Sequence, residues 1–331
     1  MRVSPIITIA GYAAMLLTLT MLNCSCSHSD EPDEPQNPDV PELPGYEPLD
    51  GLDPNVPLLN GYDKIVGYTP WPAEKKPDSE LTGEGFSYEY WFEHKAEAQS
   101  MEELMALCEA PSGLLAAMST RNLVLTCFVY PYNLIYGAYD IQYLGIMSAM
   151  SAGCWQELMV RESGTAQLLD LFCELSYPMS HSGEFNDYLS YLDYKALAEN
   201  RWNCLNALTL VMMTAVDSNA FTPGQLTRIA GEIFRKIDNI DHADDGLYSY
   251  VGVMRYPFLL GAFIAYRYDR SLTPLELSYL YDLTGFIGLP GYDPVKNRYF
   301  TVEAVTTALN IVTKSLERIE QGSLMPHDTE F

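Results

Sequence analysis

The sequence predicts an all-α domain of antiparallel helix pairs spanning residues 98–322. Three observations carry that expectation. Helix start signals recur at Ser100, Ser119, Thr222 and Thr273. Apolar residues recur at three- and four-residue intervals through two long stretches, the signature of one buried helix face. The run from Cys204 to Val216 (CLNALTLVMMTAV) carries no charge and is too short to cross a bilayer, so it suits a central helix buried on all sides.

Taken in chain order, residues 1–25 read as an export leader. Arg2 precedes an apolar run from Ile6 to Leu22, and small residues follow it, as in a secretory signal peptide. Cys24 and Cys26 stand directly behind that run. A cysteine in this place resembles the lipobox of bacterial lipoproteins, in which the cysteine is acylated and becomes the new N-terminus. Cys24 has the more apolar approach; Cys26 has a small residue before it, and the reading leans to Cys26. The resemblance implies a lipid anchor in the outer membrane as the membrane partner, with plain secretion as the alternative. Stable anchoring needs more than one acyl chain, a condition that a multiply acylated cysteine meets.

Residues 26–60 read as a tether. From His28 to Pro57 there are eight prolines, nine acids and no Lys or Arg, a composition unable to bury enough apolar surface to fold alone. Pro32, Pro35, Pro38, Pro41 and Pro44 recur every third residue, so they would line one edge of a polyproline II rod. At about 3.1 Å per residue, 30 residues reach roughly 90 Å. The acids Asp30, Glu31, Asp33 and Glu34 resemble the surface-export signal of Bacteroidota lipoproteins, which implies an outward-facing domain; a spacer in the periplasm is the alternative.

Residues 61–97 read as a mixed segment packed on the helices. Phe86, Tyr88, Tyr90 and Phe92 alternate with Ser87, Glu89, Trp91 and Glu93, which reads as a short strand or an aromatic flap. Beyond it, Ser100 and Glu103 form a capping box. Thr222-Pro223-Gly224-Gln225 supplies a cap and a proline at the first helical position, and Leu226, Ile229, Ala230, Ile233, Phe234 and Ile237 mark one face. Thr273-Pro274-Leu275-Glu276 repeats the start signal. Val302, Val305, Leu309, Val312, Leu316 and Ile319 predict a last helix ending near Glu320. Residues 323–331 form a tail.

The stretch Met118-Ser-Thr-Arg-Asn-Leu-Val-Leu-Thr-Cys-Phe-Val-Tyr-Pro131 is similar to a segment of an uncharacterised family of Bacteroidota exported lipoproteins. The likeness continues through Ala138, Tyr139, Gln142, Gly145, Gly153, Glu157, Leu158 and Arg161, about 60 residues of the 331. It implies lineage and export and implies no activity. Physically, Ser119 caps a helix, Leu123, Val124 and Cys127 pack its face, and Pro131 stops it.

The net charge of −25, from 19 Lys+Arg against 44 Asp+Glu, excludes nucleic acid as a partner, because phosphate binding needs clustered cations. The five histidines are scattered and HExxH is absent, so zinc is not expected. Asp238, Asp241, Asp244 and Asp245 form an acidic loop after a helix; hard oxygen ligands suit calcium, but the spacing is not that of an EF-hand, and a solvated loop is the simpler reading. No GxSxG elbow, SxxK or Gly-rich phosphate loop is present, so no cofactor and no nucleophile are expected. The five cysteines after the leader sit in apolar or helical stretches, where a free thiol behaves as a small hydrophobe. Trp71, Tyr88, Tyr90 and Trp91 are the best candidates for a ligand-binding aromatic surface, with core or flap packing as the alternative. The functional expectation is a lipid-anchored, noncatalytic helical protein that binds a protein or glycan outside the cell. The alternatives are a glycan- or peptide-directed hydrolase with paired carboxylates and a subunit of an envelope assembly.

Overall fold

The computed structural model describes residues 43, 46–59, 69–79, 86, 94, 96–100, 103, 106–130, 142–175, 204–240, 250–285 and 302–322. Among them the protein is all-α, with helices packed on helices and no strand. The alternating segment 87–92 lies outside the described residues. Phe86, at its edge, is half-buried and donates its N–H to Thr126 Oγ1 at 3.1 Å.

Four helices make the N-terminal half: α1 (Ser112–Ala117), α2 (Thr120–Phe128), α4 (Gly153–Val160) and α5 (Gly164–Glu174), with α3 (Gln142–Ala149) between α2 and α4 in sequence. α4 packs on α1, α2 and α5, and α2 also packs on α5. The C-terminal half comprises α7 (Pro223–Ile240), α8 (Tyr250–Tyr268), α9 (Pro274–Gly285) and α10 (Val302–Glu320). α8 and α10 pack on each other, α7 lies on both, and α9 lies on both; α5 meets α7 where the halves join. Helix α6, residues 204–217, contains the uncharged run and ends on Asp217. Leu205, Leu208, Leu210, Val211, Met212, Met213 and Val216 are all fully buried. Each such side chain gains about 2 kcal/mol on leaving water, and a helix without a polar face is stable only when enclosed like this.

The expected start signals are made as hydrogen bonds. Ser119 Oγ accepts the Asn122 N–H at 3.2 Å at the head of α2. At α7 the Gln225 N–H donates to Thr222 Oγ1 and the Thr222 N–H returns to Gln225 Oε1, at 3.3 and 2.8 Å. At α9, Thr273 and Glu276 exchange the same pair at 3.2 and 2.7 Å. At Ser100 only half the box forms as expected: Glu103 N–H reaches Ser100 Oγ, while the Glu103 carboxylate accepts from Gln99 N–H. Of the apolar faces, Leu226, Ile229, Ala230 and Ile233 on α7 are buried, as are Val305, Leu309, Val312, Leu316 and Ile319 on α10.

Residues 46–59, which composition assigns to the tether, lie packed on the helices instead. Leu58 and Leu59 are buried, and Tyr46 stacks on Tyr279 of α9 with ring centroids 3.8 Å apart. Composition missed this because the prolines and acids that run on through the segment mask its apolar residues, Tyr46, Leu52, Leu58 and Leu59.

Candidate functional site

A buried polar cluster surrounds the end of α6. That helix stops in a Schellman turn: Ala220 N–H reaches back to Ala215 O at 2.9 Å and Asn219 N–H to Val216 O at 3.1 Å. Asn219 takes the left-handed conformation, with φ +54°, which Asn tolerates better than other non-glycine residues. The turn turns Asp217 toward the incoming N-terminal segment. Asp217 Oδ1 accepts the Leu58 N–H at 2.7 Å and Oδ2 the Leu59 N–H at 2.9 Å. Both carboxylate oxygens are thus spent on backbone that has no helix or sheet of its own to pair with.

Arg267, near the end of α8, completes the cluster. Its Nη1 donates to Pro54 O at 2.5 Å, and its Nη2 to Asp217 O and to Asn219 Oδ1, both at 3.2 Å. Its Nε lies 3.8 Å from Asp217 Oδ1. The Tyr268 hydroxyl sits 3.1 Å from both Val216 O and Asn219 Oδ1. Asp217 is 3% exposed and Arg267 1%. Burial pushes the Asp217 carboxyl up to about 6, against the pull of the two N–H groups and Arg267. Desolvation outweighing these partners is the usual outcome for a carboxylate taken fully out of water.

Trp71 belongs to the same seat. It is 4% exposed, its Nε1–H donates to Thr214 Oγ1 of α6 at 2.8 Å, and its backbone N–H reaches Ser218 Oγ at 3.3 Å. The indole is therefore part of the core, with Lys75 Nζ 5.4 Å from its ring centre. The other three aromatic candidates, Tyr88, Tyr90 and Trp91, lie outside the described residues. So do Cys24, Cys26, Asp241, Asp244 and Asp245. Asp238 falls in the last turns of α7. Among the described residues no three His, Cys, Asp or Glu side chains converge as metal ligands.

Two further clusters bind chain segments in the same way. Arg161, just past α4, is buried. It pairs with Glu157 and donates to Leu115 O and Ala116 O in the last turn of α1. The Lys76 backbone bridges Arg161, with Lys76 N–H on Val160 O and Glu162 N–H on Lys76 O, while Lys76 Nζ reaches Glu157 at 2.6 Å. Two residues on, Asp78 Oδ1 accepts from Thr120 Oγ1 and the Ser163 N–H, which hold its carboxyl below the usual range despite its burial. Glu157 and Arg161 thus serve the fold by holding the end of α1 and the Lys76 segment. At the junction of the halves, Lys236 of α7 is fully buried. It donates to Leu175 O, pairs with Glu232 at 2.9 Å and lies 4.5 Å over Phe172. Burial lowers its ammonium. Arg235 beside it donates to Cys173 O, so α7 caps the electronegative C-terminus of α5 with two cations.

Sequence reasoning missed Asp217, Arg267, Arg161 and Lys236. A charged residue inside an apolar run was the available signal: Asp217 follows CLNALTLVMMTAV directly, and Arg267 stands within FLLGAFIAYRY. In each cluster the charges terminate on backbone of a neighbouring segment. The arrangement suits fastening, although the Arg267 Nε–H is buried without a hydrogen-bond partner.

These features define an all-α protein whose N-terminal segment is strapped across two helical halves by buried charges. No family model matches the chain, and neither the curated proteins nor the solved structures provide a match.

Proposed function

We propose that the chain is a lipid-anchored envelope protein whose helical domain binds a protein or glycan outside the cytoplasm without turning it over. The observation that carries this reading is the order of parts in the sequence: a single cation, an apolar run, Cys24 and Cys26, then an acidic proline-rich stretch free of Lys and Arg. More than one acyl chain on Cys26 or Cys24 supplies the hold on the outer membrane. The acids behind it support display on the outer face of a Bacteroidota-type envelope. The noncatalytic part is supported by where the buried charges go. Asp217, Arg267, Arg161 and Lys236 each bond the backbone of another element, a use that rigidifies a binding scaffold.

Mass spectrometry of the mature N-terminus, combined with protease shaving of intact cells, tests the proposal. The expected result is an acylated Cys26 or Cys24 as the first residue and loss of the helical domain from shaved cells. A mature chain that keeps residues 1–20, or that carries no acyl group, overturns the anchor. A domain that intact cells protect overturns outward display.

A further inference from the structure

Besides Cys24 and Cys26 the chain has five cysteines, and two of them meet. Cys127 lies on α2 and Cys154 in the first turn of α4; both are buried, and the two helices pack directly on each other. The next residue on each helix fixes the level of the crossing. Phe128 and Trp155 meet edge to face with ring centroids 5.2 Å apart and planes at 81°. Directly beside that contact the Cys127 and Cys154 side chains interact, and no disulfide joins them in the structure. The remaining cysteines are placed elsewhere. Cys108 precedes α1, Cys204 opens the described part of α6, and Cys173 on α5 is surrounded by Glu232, Arg228, Lys236 and Asp170.

We propose that Cys127 and Cys154 are a disulfide-forming pair that locks α2 to α4, oxidised by exchange with a disulfide-bearing oxidant as the exported chain folds. The pair stands on this packing; only the place where it meets the oxidant rests on the proposed export. The exchange balances without further reagents. One cysteine thiolate attacks a sulfur of the oxidant disulfide, forming a mixed disulfide and releasing one oxidant thiol. The second cysteine thiolate then attacks the protein sulfur of that mixed disulfide and releases the other. Two electrons pass from the protein dithiol to the oxidant, and the two thiol protons end on the two released thiols. Burial holds the packed Cys127 thiol well above its ordinary range, so the thiolate needed for attack is available while α2 and α4 are still coming together. Oxidising compartments are where such pairs persist.

The test uses the full chain in two arms. In the first, cells expressing it are quenched with acid, denatured without reductant, alkylated and digested. In the second, purified chain is reduced, unfolded and refolded in a buffer of oxidised and reduced glutathione, then treated the same way. The expected result in both arms is one cross-linked peptide pair containing Cys127 and Cys154, about 2 Da lighter than the two reduced peptides together. Cys108, Cys173 and Cys204 are expected to be alkylated. A cross-link on refolding but alkylation of both cysteines from cells keeps the pair and overturns export to an oxidising compartment. Alkylation of both in both arms, or a cross-link from either to a different cysteine, overturns the pair.

Discussion

Asp217 is fully enclosed, accepts two backbone N–H groups and faces a guanidinium, yet its carboxyl is pushed up to about 6 from an ordinary value of 3.8. The folded state therefore holds this proton more tightly than the unfolded chain does, and stability from this group is fully present below pH 4 and lost as pH rises from about 4 to 6. At about 1.4 kcal/mol per pKa unit, the loss is about 3 kcal/mol. Asp78 and Asp269, whose carboxyls are held low by hydrogen bonds, act oppositely: their contribution is present at neutral pH and lost only as pH falls below about 4. Urea unfolding at pH 4.5, 5.5 and 7 is expected to show stability falling with pH across that window, and D217N to flatten the slope. An unchanged slope in D217N would place the titration elsewhere. Truncation is harsher. D217A leaves the Leu58 and Leu59 N–H groups and the Arg267 charge buried without their partner, an expected loss of about 3–5 kcal/mol. Asn219 separates conformation from bonding at the same site. N219G keeps the left-handed turn but removes the acceptor shared by Arg267 and Tyr268, costing about 1–2 kcal/mol. N219A also loses the turn preference, adding about 1 kcal/mol. Equal urea midpoints for the two variants would contradict that division. None of these buried charges was legible as such in the sequence, because a charge is tolerated inside only when a distant segment, here residues 54–59, brings its partner.

At the scale of elements, local chemistry sufficed where the partner lies three residues away. The boxes at Thr222 and Thr273 and the cap at Ser119 were readable because donor and acceptor belong to one turn. The faces of α7 and α10 were readable because helical periodicity alone places them. The meeting of helices was not readable. Gly261 of α8 faces α10 so closely that an added Cβ would lie 2.8 Å from Val312 Cγ1 and 3.1 Å from Leu316 Cδ1. G261A is expected to part those helices by a few tenths of an ångström and cost about 1–3 kcal/mol. Gly224, in the first turn of α7, has nothing within 4 Å of its added Cβ, and G224A is expected to be neutral or to stabilise by about 0.5 kcal/mol. Thermal unfolding of the two variants side by side checks the pair; a neutral G261A would mean that α8 and α10 sit farther apart than described.

Across the whole molecule, the N-terminal segment adds its own links to the junction that α5 and α7 make. Residues 46–59 are fastened to α6, α8 and α9 through Asp217, Arg267, Ser278 and Asp282. Residues 71–79 are fastened to α6 through Thr214, to α4 through Met159 and Glu157, and to α2 through Thr120. Residues 46–59 read as tether because prolines and acids continue through them from the stretch before, and these mask the apolar Tyr46, Leu52, Leu58 and Leu59 that pack on the core. Trp71 read as a surface aromatic because its position beside loop prolines does not reveal that Thr214 waits for its N–H. The all-α class was legible throughout, since composition and period suffice for it; the strap was not, since it depends on residues 42 to 236 positions apart. Amide hydrogen exchange at Leu58 and Leu59 tests the strap most directly. Both amides point into a buried carboxylate, so they are expected to exchange as slowly as the amides of α6. Exchange within seconds, at the rate of an open chain, would contradict it.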